Sequence, residues 1–212
     1  WEGFLYSYSY NGYLSKIVKK YFFDTVRNYS KLRNSNFASF LTYLALERID
    51  GYTVQDLQNG IEGLPHNGRE DVLREAVRFL KGAGARREKY WENKIKPFLE
   101  EIWPKQDDYK SEPVTENMIK LCIESGKKFP EALTVVNGWL QPIDRSYCEY
   151  ILMKVKGCNI CTEFPEETLR LLDRIISREL GNAYKEKLND ILNSLSGLQK
   201  ERAYKKLLSY TQ

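Results

Sequence analysis

Apolar residues recur at three- and four-residue spacings along most of this chain, the period that turns one side of an α-helix toward a core. Leu14, Ile17, Val18, Tyr21, Phe22 and Val26 set the first such stripe, and Lys16, Lys19, Lys20 and Arg27 fall mostly on its other face. Asn36 reads as the cap of a second helix, which turns Phe37, Phe40, Leu41, Leu44 and Ala45 inward. Thr53 with Asp56 has capping-box spacing and opens a short helix to about Gln58. Asn59-Gly60 and Asn67-Gly68 are turn signals and predict a loop that contains His66. Val72, Leu73, Ala76, Val77 and Leu80 then mark a helix ending near Gly82. Trp91, Ile95, Phe98, Leu99 and Ile102 mark another, in which Pro97 removes a backbone donor and predicts a kink.

The polar stretch 105–113 is the best internal boundary in what reads as a single helical domain. Beyond it, Thr115 reads as the cap of a helix holding Met118, Ile119, Cys122 and Ile123. Pro130, Asp144 and Pro165 open three more, and two amphipathic helices around Leu188 and Leu207 finish the chain. No segment shows the two-residue alternation of a strand. The expectation is an all-α fold of roughly ten helices joined by short turns. Phe129-Pro130-Glu131 recurs as Phe164-Pro165-Glu166, 35 residues later. That spacing suits a helical-hairpin stack (α-solenoid-like), with an irregular helical bundle as the alternative.

Composition strengthens the helical reading. Leu occurs 25 times and Val only nine, and unbranched side chains lose little rotamer freedom in a helix. The 42% hydrophobic and 29% charged content excludes a disordered or collagenous chain, and no apolar run reaches the length of a membrane span. The chain opens on Trp1-Glu2-Gly3-Phe4, with neither a methionine nor a secretory signal, so it reads as a piece of a longer protein. Four cysteines without an export signal fit a reducing compartment, and the expected location is cytoplasmic.

Catalytic vocabulary is thin. Cys158 and Cys161 form a CxxC pair, but a zinc site needs four ligands and the nearest other thiol in sequence is Cys148. The single histidine, His66, has only Glu62 and Asp71 nearby in sequence. Glu100-Glu101 and Asp107-Asp108 read as solvated carboxylates. No phosphate-cradling glycine loop, nucleophile elbow, zinc-protease motif or kinase signature occurs. The expectation is a chain with no catalytic residue, cofactor or metal site.

Basic residues offer a different reading. Lys16, Lys19, Lys20 and Arg27, with Arg86 and Arg87 beside Tyr90 and Trp91, could bind nucleic acid by charge and ring stacking. A net charge of +4 is mild for that role, and protein contact is the leading expectation.

The segment 90–105, from Tyr90 and Trp91 through Pro97 to Trp103 and Lys105, and the segment from Gly126 to Leu133 resemble one known group. They are similar to the helical C-terminal region of large bacterial anti-phage defence proteins, of the type that carries a sirtuin-like NAD-hydrolysing domain. Trp1 to Leu5 and Phe164 to Asp173 fit the same pattern. The resemblance implies a scaffold, an oligomer former or a sensor of a phage component, binding a protein partner or sister subunits. The NAD-hydrolysing residues of such proteins lie in the sirtuin-like domain, which no segment here matches, so the resemblance assigns no catalytic residue.

Overall fold

A computed structural model describes residues 35–48, 52–105 and 111–212, and side chains from residue 38 onward. The described residues are helices and connecting turns, with no strand among them, so the fold is all-α. Among them no helix is long and apolar enough to cross a membrane. The chain divides into two compact units, Trp1–Tyr109 and Lys110–Gln212, with the division inside the polar 105–113 stretch.

In the first unit α1 (Ser35–Glu47) packs along α3 (His66–Gly82), and α2 (Val54–Glu62) bridges them. Leu41, Leu44 and Ala45 of α1 and Val72, Leu73, Ala76 and Leu80 of α3 are all buried. Each large aliphatic side chain so removed from water contributes about 1.5–3 kcal/mol. Thr42 is also fully buried, and its hydroxyl is satisfied by Ala38 O at 2.7 Å and Val72 O at 3.2 Å.

Both turn signals of this unit are overridden. Asn59 and Gly60 lie inside α2, because the capping box at Thr53 is complete and Leu57, Gly60 and Ile61 are buried. The Thr53 hydroxyl accepts from Asp56 N at 3.1 Å, and the Asp56 carboxylate accepts from Thr53 N at 2.9 Å. Asn67 and Gly68 sit in the first turn of α3, where a glycine costs little; the Asn67 side chain accepts from Gly68 N at 3.0 Å.

After a tight turn at Gly84–Arg86, α4 (Arg87–Tyr90) runs into two π-helical turns, Trp91–Ile95 and Phe98–Ile102. Trp103 N donates to Phe98 O at 2.8 Å, five residues back rather than four. Pro97, expected to kink the helix, lies between the two widened turns. Its missing N–H and its ring, which crowd an α-turn, are accommodated there. Trp91 and Trp103 bracket the widened stretch and are fully buried. Their indole N–H groups are unpaired, at a cost of about 1–3 kcal/mol each that burial of the rings offsets.

The second unit contains α5 (Glu112–Glu124), α6 (Phe129–Val136), α7 (Arg145–Gly157), α8 (Ile160–Glu163), α9 (Pro165–Ile175), α10 (Arg178–Ala183), α11 (Lys185–Ser194) and α12 (Arg202–Ser209). Helix α5 packs on α6 and α7, α7 on α11, and α9 on α12. The cap of α5 is Ser111 rather than Thr115; Ser111 Oγ accepts from Val114 N at 3.3 Å, and Pro113 stands in the first turn. Thr115 instead lies inside the helix, fully buried, and donates to Trp139 O at 2.9 Å. Asp144 does cap α7, accepting from Ser146 N at 2.7 Å. Gly126 takes φ +65° where the chain leaves α5. The repeated phenylalanines, Phe129 and Phe164, pack ring on ring at 5.9 Å.

Gly181 of α10 sits against Tyr210, and a Cβ there would lie 2.4 Å from the Tyr210 Cβ. Gly181→Ala is therefore expected to destabilise the chain by about 1–3 kcal/mol, the usual cost of overpacking. Urea denaturation followed by circular dichroism measures it; an unchanged midpoint would refute this close approach.

Candidate functional site

Four groups of side chains invite a functional reading, and the structure separates most of them. Cys158 closes α7 and is exposed, while Cys161 is buried in α8 with its thiol 3.6 Å from Val155 O. Asn159 between them takes φ +56°. Burial pushes the Cys161 thiol up to about 11 and the Cys148 thiol up to about 12, and it raises Cys122 further still. These three are poor thiolates near neutral pH. Among the described residues no group of three or more His, Cys, Asp or Glu side chains gathers as a ligand set.

His66 lies not in a loop but at the first position of α3, where Nδ1 is 2.9 Å from the Glu70 carboxylate one turn on. The sequence neighbours Glu62 and Asp71 are not its ion partners; Asp71 pairs with Arg74 at 2.7 Å. Glu101 pairs with Arg48 at 2.7 Å, and its carbonyl accepts from Gln58, so Glu100 and Glu101 do not converge on a reacting atom. Asp107 and Asp108 lie outside the described residues.

The nucleic-acid constellation is divided in the same way. Lys16, Lys19, Lys20 and Arg27 lie outside the described residues. Arg86 and Arg87 are exposed, but Trp91 is fully buried and Tyr90 half-buried. Arg87 stands in water while Trp91, one turn on, is buried in the core, so the neighbouring ring offers no stacking face.

Two features were not legible in the sequence. Glu112, at the start of α5, shares a hydrogen bond with Asp144, the cap of α7, and that bond pushes the Glu112 carboxyl above its usual range. On α7, Tyr150 and Met153 project into solvent one turn apart, 38% and 55% exposed. The ammonium groups of Lys120 and Lys154 stand 5.0 and 5.9 Å from the Tyr150 ring centre. Each lysine is also paired, Lys120 with Glu116 of its own helix at 2.5 Å and Lys154 with Glu124 across on α5 at 3.6 Å. The result is an apolar tip rimmed by neutralised charge. Tyr150 falls on the helical stripe of Tyr147 and Ile151, a spacing that by itself predicts burial.

Mass spectrometry after brief iodoacetamide treatment near neutral pH is expected to find Cys158 alkylated and Cys122, Cys148 and Cys161 protected. Rapid labelling of all four in the folded chain contradicts the burial described. For the carboxyl pair, an NMR titration should place Glu112 above the ordinary glutamate range. Asp144→Asn keeps the cap and returns Glu112 to that range or below; no change on substitution would break the assignment.

No protein-family model, curated protein or solved structure matches this chain.

Proposed function

We propose that this chain is a non-catalytic helical contact module, acting as scaffold, oligomer former or sensor within a multidomain bacterial defence protein of the cytoplasm. The observation that carries the contact role is the Tyr150–Met153 tip on α7. Large apolar side chains at this exposure are few: among the described residues only Val54, Tyr150, Met153 and Leu208 reach it. A flexible thioether beside an aromatic ring, rimmed by ion pairs that need no further partner, is suited to burial against another protein. The surrounding charges add little energy to such a contact but keep water and wrong partners out.

Other observations support the reading. The cations and carboxylates of the second unit serve one another across its helices: Lys156 meets Asp190 at 2.7 Å, Lys206 meets Asp173 at 2.6 Å, and Lys187 meets Glu149. The defence setting rests on the resemblance of the 90–105 and 126–133 segments. Sister subunits are the partner that can be tested without knowing the parent protein.

Sedimentation velocity across a concentration series is expected to show reversible association. Met153→Glu should weaken it by at least about tenfold, equivalent to roughly 1.4 kcal/mol, while circular dichroism stays unchanged. A chain that remains monomeric throughout, and that Met153→Glu leaves unaltered, would remove the oligomer-forming role. For the defence setting, bacteria carrying the full gene should resist phage and lose resistance with Met153→Glu; equal phage plating with and without the gene would sink it.

A further inference from the structure

The corner where α3 hands over to α4 gathers positive charge among the described residues of its unit. Within residues 81–89, Lys81, Arg86, Arg87 and Lys89 are all exposed, against a single acid, Glu88. None of the four cations has an ion-pair or hydrogen-bond partner through its side chain among the described residues. Elsewhere in the unit Arg48, Arg74, Arg78 and Lys94 each meet a carboxylate at 2.7–3.3 Å. The negative end of α3 accounts for Lys81 alone. It does not account for three further cations on the turn and the start of the next helix.

The backbone at this corner is open as well. Gly84 takes φ +54°, and nothing lies within 4 Å of where a Cβ would stand on Gly82 or Gly84. A ligand can therefore approach the main chain between the cations. Among the described residues the large exposed apolar side chains all lie elsewhere. A protein partner draws most of its binding energy from such anchors. A phosphate backbone needs only positive charge and donors, and guanidinium groups meet phosphate oxygens two bonds at a time.

We infer that the Lys81–Lys89 corner is a docking surface for the phosphate backbone of a nucleic acid. This goes beyond the contact role of α7 and uses a different unit of the chain. Because Trp91 is buried, binding is through phosphates and not through stacked bases, so it is insensitive to sequence and steep in salt. If each of the four cations neutralises one phosphate, log K against log salt has a slope of roughly −3.6 for duplex DNA.

The test is fluorescence anisotropy of the full chain with a short random-sequence DNA duplex between about 50 and 200 mM salt. Micromolar binding at the low end, with the slope above, is expected. Arg86→Glu with Arg87→Glu should weaken it at least about tenfold and flatten the slope by roughly two. Arg86→Gln with Arg87→Gln, milder for folding, should weaken it by a smaller factor in the same direction. Lys200→Glu with Lys205→Glu, exposed cations of the other unit, should change it by less than about twofold. Four outcomes overturn the inference: no binding at low salt, indifference to both Arg86/Arg87 variants, an equal loss on reversing Lys200 and Lys205, or polyglutamate binding as tightly as the duplex. The third would mean attraction to net charge alone, and the last would mean an acidic protein.

Discussion

Three buried threonine hydroxyls set how the helices of this chain can pack. Thr42, Thr115 and Thr168 are each fully buried, and each sits on a helix facing a backbone carbonyl of another segment. Thr115 reaches Trp139 O at 2.9 Å and Thr168 reaches Ile160 O at 3.0 Å, while Thr42 meets Ala38 O of its own helix at 2.7 Å and lies 3.2 Å from Val72 O across the helix pair. A hydroxyl taken from water without a partner costs about 1–3 kcal/mol. Apolar stripes alone leave a helix pair free to slide by a turn at little cost, since one leucine replaces another. A hydroxyl that must meet one particular carbonyl does not allow that slide. The cores of both units therefore combine a broad, forgiving hydrophobic term with a few directional contacts that choose among the packings it permits.

The helical character of the chain, its capping residues and most of its core positions were legible in the sequence because they depend on local chemistry. Thr53 and Asp144 cap helices as their spacing implies, and Pro165 opens one at its first position. The misreadings have a common cause, which is that burial outweighs local preference. Gly60 and Gly68 look like turn residues, yet both are buried within helices whose apolar faces, Leu57 and Ile61 in one and Val72 and Leu73 in the other, are buried with them. Thr115 has the chemistry of a cap but spends its hydroxyl on Trp139, leaving Ser111 to cap. The short helices α8 and α10 span four and six residues, too few to show a period.

The candidate surfaces were less legible than the fold. A charged residue's partner is set by tertiary packing, so the sequence could not distinguish Arg48, held by Glu101 across 53 residues, from Arg86, which is held by nothing among the described residues. The same limit hid the Glu112–Asp144 contact, which joins two helix starts far apart in sequence. It also hid Tyr150, whose place on a helical stripe predicted burial while its neighbours on α5 and α7 leave part of the ring in water.

The two π-helical turns around Pro97 carry a geometric consequence. Each closes its hydrogen bond one residue later than an α-turn, so each advances the downstream side chains by about one residue step, roughly 100° of rotation. Trp103 closes the rod in extended backbone, so its ring reaches the core from beyond the helical winding, while Trp91 reaches it from within. A one-residue deletion inside the rod would remove the extra residue of a widened turn and rotate Ile102 away from the core that now buries it.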